Sequence, residues 1–227
     1  MWVKVCGIRD RETALRTAEF GADAIGLNFY ARSPRRIELD EAIEISRSLP
    51  RHVARVGLFV NHATDDIESI TDQCQLDIIQ LHGDEPAEFM VDLQRRLPRL
   101  KFIRAWRMDH EGLAELQHYL GQCDPSSVVG CLIDAHVPGT YGGTGQTVPW
   151  QRLVDEYQKY SLPPLILAGG LVPDNVLAAI EEVKPWGVDV ASGVESSSGV
   201  KDLDLIQRFI TNARQFNDET RSLKKGV

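Results

Sequence analysis

Trp2-Val3-Lys4-Val5-Cys6-Gly7-Ile8-Arg9-Asp10 decides the fold. A short apolar run ends on a thiol and a glycine. The first strand of a doubly wound sheet more often runs into G-x-G-x-x-G, whose glycines bring a pyrophosphate onto a helix N-terminus. Residues 6–10 carry no such pattern. Seven further apolar runs follow, at 24–29, 56–60, 77–81, 102–106, 130–133, 164–168 and 187–191. Between them the spacing is helical. Ile67, Ile70 and Cys74 form one stripe, as do Leu203, Ile206 and Ile210. Thr64 before Asp65-Asp66 and Pro173 before Asp174-Asn175 read as helix starts, and Gly21 as a helix stop. Apolar strands alternating with amphipathic helices imply a parallel sheet covered by helices. Eight of them predict an α/β fold of one domain, a (β/α)8 TIM barrel.

Length agrees, since 227 residues suit a barrel as a single unit. No proline- or serine-rich linker divides the chain, so residues 1–216 are expected to form the barrel and 217–227 a frayed tail. The net charge of −8 argues against general nucleic-acid binding. No apolar run reaches the 18 or so residues of a membrane span. The N-terminus lacks a signal-peptide pattern. Cys6, Cys74, Cys123 and Cys131 show neither metal-type spacing nor disulfide density, so a reduced, cytoplasmic protein is expected. Cys74 and Cys131 read as small buried apolar residues. No helix face shows an unpaired apolar stripe, which leaves monomer and homodimer both open.

In a barrel the C-terminal strand ends form the active site. That rule collects Cys6, Asn28, Phe29, His82, Arg104, Trp106, Asp134 and Asp189. Cys6 before Gly7 suits a general base on a tight turn, with a neighbouring helix start lowering its pKa; a packed thiol is the plain alternative. Asp134, after Leu132-Ile133, suits a general acid kept protonated by desolvation, or else a loop-anchoring carboxylate. Gly169-Gly170 and Ser192-Gly193 follow the last two strands, where such barrels bind phosphate through backbone N–H groups. Arg35, stiffened by Pro34, can grip a carboxylate with two prongs. His82 and Asp189 are further substrate-binding candidates. Gly139–Thr147 fails as a P-loop, because Gln146 stands where the lysine belongs, and reads instead as a flap.

Val3-Lys4-Val5-Cys6-Gly7-Ile8, Ser33-Pro34-Arg35, Gln80-Leu81-His82-Gly83, Tyr141-Gly142-Gly143-Thr144-Gly145 and Val188–Glu195 together, in order, resemble the phosphoribosylanthranilate isomerases. The resemblance implies a barrel of tryptophan biosynthesis. Its reaction would be the Amadori rearrangement of N-(5-phosphoribosyl)anthranilate to 1-(2-carboxyphenylamino)-1-deoxyribulose 5-phosphate. It implies Cys6 as general base, Asp134 as general acid and Arg35 as the ligand of the anthranilate carboxylate. The partner would be a small phosphorylated substrate, with no cofactor and no metal, because the iminium nitrogen serves as electron sink. Gln146 and Pro149 depart from the family's usual lysine and aspartate. A Schiff-base aldolase would need a lysine in the mouth, and Lys4 and Lys101 sit at strand starts or interiors. An epimerase, the histidine-pathway aminoaldose isomerase (aspartate in place of Cys6) and a non-catalytic phosphometabolite sensor are the other readings.

Overall fold

Eight parallel strands close into a barrel in chain order: β1 (Trp2–Cys6), β2 (Ala24–Asn28), β3 (Ala54–Phe59), β4 (Ile78–Leu81), β5 (Lys101–Met108), β6 (Val128–Ala135), β7 (Leu165–Leu167) and β8 (Gly187–Val190). A helix follows each: α1 (Arg11–Glu19), α2 (Leu39–Ser48), α3 (Thr64–Cys74), α4 (Ala87–Arg96), α5 (Ala114–Leu120), α6 (Trp150–Tyr157), α7 (Val176–Val183) and α8 (Leu203–Leu223). This computed structural model describes residues 1–108, 112–135 and 150–223, with 217–223 as helix backbone alone. The expected flap at 139–147, with Gln146, lies outside the described residues. The expected tail from 217 starts within α8, which continues to Leu223. Among the described residues, no helix is long and apolar enough to cross a membrane.

Strand parity explains the sequence pattern. Val3 and Val5, Ile25 and Leu27, Ile79 and Leu81, and Val188 and Val190 face outward into the main core against the helices. Fully burying each such side chain stabilises by about 1.5–3 kcal/mol. The alternate positions point into the barrel. Ala24, Val56, Ile78, Ile103, Leu132 and Ile166 fill its lower interior. Lys4, Gln80, Asp134 and Asp189 lie on the same inward parity nearer the C-terminal end, and all are buried. The barrel therefore has an apolar floor and a polar upper layer. Closure between β1 and β8 pairs Lys4 with Asp189 across the seam.

Helix ends follow local chemistry. The Asp10 carboxylate caps α1 by accepting from the Thr13 N–H at 2.8 Å. Glu38 and Glu41 form a reciprocal capping box on α2. Gly21 takes φ +99° just after α1, as a stop residue should. Two expected starts shift. Thr64 is the first residue of α3 rather than its cap, and α7 begins at Val176 because Asn175 is used elsewhere. The Asn175 Oδ1 accepts from Val172 N–H at 2.8 Å and its Nδ2 donates to the Gly170 carbonyl at 3.0 Å, bracing the loop after β7. After β8, a 3-10 turn (Ser192–Val194) leads into a small hairpin of β9 (Glu195–Ser197) and β10 (Val200–Lys201).

Candidate active site

The thiol sits at the end of β1 over a position that only glycine can fill. A Cβ on Gly26 of β2 would lie 2.7 Å from the Cys6 Sγ. Gly26 thus makes room for the thiol on the inner wall. Beneath it, two residues back on the same face of β1, Lys4 is fully buried and donates to Asp189 Oδ1 at 2.8 Å. The charge of Lys4 also acts on the Cys6 thiol. Burial opposes the Lys4 charge, yet Asp189 and Cys6 hold its pKa above the ordinary lysine value.

Cys6 departs from expectation in one respect. Burial pushes its thiol pKa up; Lys4 and Lys201 pull it down without reversing that direction, and Asp189 adds to the rise. A thiol that is only 4% exposed loses the water that would solvate its thiolate. The expected depression toward the thiolate is therefore corrected. Nearby cations limit the rise.

Asp134 ends the inward row of β6 and is buried. Its Oδ2 lies 3.7 Å from the His82 Nε2, which is beyond hydrogen-bond length. The His82 Nδ1 pairs with the Gln80 side-chain amide at 2.9 Å. With that amide donating, Nδ1 accepts and Nε2 carries its proton toward Asp134. Gln80 was not foreseen. Its place two residues before His82 on one strand face was the available signal.

One cavity gathers the acid and both glycine loops. Asp134, Gly169, Gly170, Asp189, Ser192 and Gly193 are among its lining residues. Gly169 and Gly170 have φ of +86° and +68°, the left-handed region that favours glycine. At Gly193 the demand is steric, since a Cβ would overlap the carbonyl oxygen of Leu171 in the loop after β7. The two loops touch there, so a larger residue at 193 disturbs packing as well as any anion contact.

Arg35 reaches the mouth from the loop after β2. Its Nε and Nη2 donate to Glu195 Oε1 and Oε2 at 2.7 and 2.8 Å, a two-pronged pair. Glu195 also accepts from the Lys201 Nζ at 2.8 Å. Burial works against the Glu195 charge, but Arg35 and Lys201 keep its carboxyl below the usual range. Burial lowers the Lys201 pKa, with Glu195 opposing the fall. Lys4 and Glu195 fall within the sequence motifs without a role of their own, and Lys201 falls in none; each is a charged residue with almost no exposed side chain.

Arg104 and Trp106 do not belong to this mouth. Parity turns both outward, and the Arg104 guanidinium lies 4.8 Å from the Tyr119 ring centroid and 2.9 Å from Glu85. They fasten β5 to α5 and to the loop after β4. Asn28 likewise serves its own loop, accepting from Tyr30 N–H and donating to Ser33 Oγ. All four cysteines are free and buried, and Cys74 and Cys131 pack in the main core as expected.

A closed barrel whose strand ends present a buried thiol, a carboxyl group and two glycine loops at one mouth defines a (β/α)8-barrel enzyme. Comparison with known proteins narrows the class. The family model described as N-(5'phosphoribosyl)anthranilate (PRA) isomerase matches residues 3–212, and the chain belongs to that family of isomerases. It is 44% identical over 213 residues to the N-(5'-phosphoribosyl)anthranilate isomerase of Geotalea daltonii, covering 94% of this chain and 96% of that one. Phosphoribosyl anthranilate isomerase from Thermotoga maritima superposes with a TM-score of 0.83 at 36% identity, covering 95% of this chain and 99% of the other. A solved phosphoribosyl anthranilate isomerase in complex with reduced 1-(o-carboxyphenylamino)-1-deoxyribulose 5-phosphate gives 0.78 at 35% identity, with the same coverage.

Proposed function

We propose that this mouth isomerises N-(5-phosphoribosyl)anthranilate to 1-(2-carboxyphenylamino)-1-deoxyribulose 5-phosphate, a step of tryptophan biosynthesis, with Asp134 as general acid and Cys6 as general base. The observation that carries the reading is the single cavity shared by Asp134, Asp189 and the two glycine loops. It gives an acid a place beside an anion-binding backbone. The similar enzyme with a reduced product bound supports the same substrate class.

The chemistry proceeds in balanced steps. Asp134 protonates the furanose ring oxygen as the C1–O bond breaks, and the nitrogen lone pair forms a C1=N iminium. The Cys6 thiolate removes the C2 proton; the released pair makes C1=C2 and neutralises the nitrogen. The resulting enolamine loses its enol proton and gains one at C1, which yields the ketose. Each placed proton transfer contributes about 10²–10⁴ in rate. Lys4 and Lys201 oppose, without reversing, the rise that burial imposes on the Cys6 thiol pKa.

We assign the phosphate to the N–H groups around Gly170 and Gly193. Inorganic phosphate is expected to compete with substrate, and Gly170→Ala to raise its inhibition constant together with KM. A folded Gly170→Ala protein that binds phosphate as the parent does would move the anion elsewhere. Gly193 is the poorer probe because of its contact with Leu171.

Arg35 is assigned to the anthranilate carboxylate. Arg35→Ala is expected to raise KM about 10- to 100-fold, the worth of charge-assisted hydrogen bonds of about 1.5–3 kcal/mol. Arg36 is exposed and bonded to Glu38 at 3.1 Å, so Arg36→Ala should change KM little. Comparing KM in the two variants checks this, and a larger effect at Arg36 would overturn the assignment.

A further inference from the structure

We propose that Glu195 is a positioning residue that sets the preference for a carboxylate-bearing aryl substrate by fixing the fork of Arg35. The proposal rests on the assignment of Arg35 to the substrate carboxylate. A guanidinium has five N–H donors in one plane and can present two edges, each able to meet a carboxylate with two parallel bonds. Glu195 occupies the Nε/Nη2 edge. Among the described residues Nη1 has no hydrogen-bond partner, so the Nη1/Nη2 edge keeps one proton on each nitrogen for a second carboxylate.

Glu195 is itself immobilised. Its Oε1 accepts from Arg35 Nε and from Lys201 Nζ, and its Oε2 from Arg35 Nη2 and from the Gly199 N–H at 3.1 Å. Four donors satisfy both oxygens of a carboxylate with 4% of its side chain exposed. The surrounding loops are shaped to this fork. The Arg35 N–H donates to Ser33 Oγ at 3.1 Å. Gly7, at φ +78°, lacks the Cβ that would lie 2.7 Å from Arg35 Cδ, and Gly199 lacks one that would meet the Pro34 carbonyl. Loops after β1, β2 and β8 therefore converge on one guanidinium. A buried ion pair alone is a poor source of stability, because desolvating both charges offsets their attraction. An unused, preoriented edge at the mouth gives the pair a use in recognition.

The experiment compares kcat/KM for N-(5-phosphoribosyl)anthranilate and for N-(5-phosphoribosyl)aniline, which lacks the carboxylate, in the parent, Arg35→Ala, Arg35→Lys and Glu195→Gln. Arg35→Ala should abolish the parent's preference for the anthranilate compound. Glu195→Gln should reduce that preference about tenfold through KM. Its kcat and its inhibition by inorganic phosphate should stay at parental values. Arg35→Lys, which keeps the charge and loses the fork, should behave like Glu195→Gln. If Arg35→Ala loses the preference and Glu195→Gln keeps it, or slows both substrates equally, Glu195 does not position the fork. If Glu195→Gln does not fold, full preference in Arg35→Lys overturns the proposal equally. Preference retained by Arg35→Ala would remove the Arg35 assignment and this inference with it.

Discussion

Replacing Cys6 by serine, or Asp134 by asparagine, is expected to lower kcat by about two to four decades while leaving the fold intact. Serine keeps the shape that fits over Gly26, and asparagine keeps the shape of a buried carboxyl on β6. Cys6 packs with Leu58 and Val60, and serine keeps nearly that volume. What each removes, on the proposed mechanism, is a proton-transfer group. The serine hydroxyl does not ionise where the thiol does, and the amide has no acidic proton to give. Far-ultraviolet circular dichroism together with steady-state kinetics separates the two effects. Near-parental turnover in a folded variant would take that residue out of the mechanism.

Lys4→Met should have the next largest effect, on two separate readouts. The first is stability. Lys4 has no exposed surface, and its removal leaves Asp189 as an unpaired buried carboxylate, at a cost of about 3–5 kcal/mol. The urea midpoint should fall accordingly, and Lys4→Met/Asp189→Leu should recover much of the loss, because both charges are then gone. A parental midpoint in the single variant would mean that the pair does not hold the upper layer.

The second readout is the thiol. Lys4 is the strongest of the influences that lower the Cys6 pKa against burial, and Asp189 raises it. Losing Lys4 while keeping Asp189 must therefore raise the thiol pKa further. In the proposed mechanism the base acts as thiolate, so at fixed pH a smaller fraction is active, and the ascending limb of kcat/KM should move to higher pH. A shift toward lower pH would contradict the arrangement.

The barrel was legible because all eight strands begin and end within two residues of an apolar run, and outward rows such as Ile79 and Leu81 of β4 are unbroken. Strand ends were less so. β5 continues through Arg107 to Met108, past the expected end at Trp106, because its charges are met by neighbours: Arg104 by Glu85, and Arg107 by Asp84. The β9–β10 hairpin is too short to leave a periodic signal.

At the candidate site, residue positions were readable and their partnerships were not. Lys4 looked like an ordinary strand lysine because its partner, Asp189, lies 185 residues away across the barrel seam. The direction of the Cys6 shift depends on burial plus charges from β1, β8 and β10, a sum that no local window contains. From sequence Arg35 offers two prongs to a carboxylate, and in the fold one edge of its guanidinium is held by Glu195, 160 residues on. Arg104 and Trp106 were misplaced for a simpler reason. Closeness to a strand end does not decide which side of the barrel wall a residue faces; parity does.

The division of labour between thiol and carboxyl is tested most directly with N-(5-phosphoribosyl)anthranilate deuterated at C2 of the sugar. Turnover by the parent, Cys6→Ser and Asp134→Asn would be compared with that of the undeuterated substrate. If Cys6 removes the C2 proton, weakening that base makes C2–H cleavage the slow step. A primary isotope effect should then be largest in Cys6→Ser, while Asp134→Asn, slowed at ring opening, shows little. An isotope effect that grows in Asp134→Asn and stays at the parental value in Cys6→Ser would contradict the account.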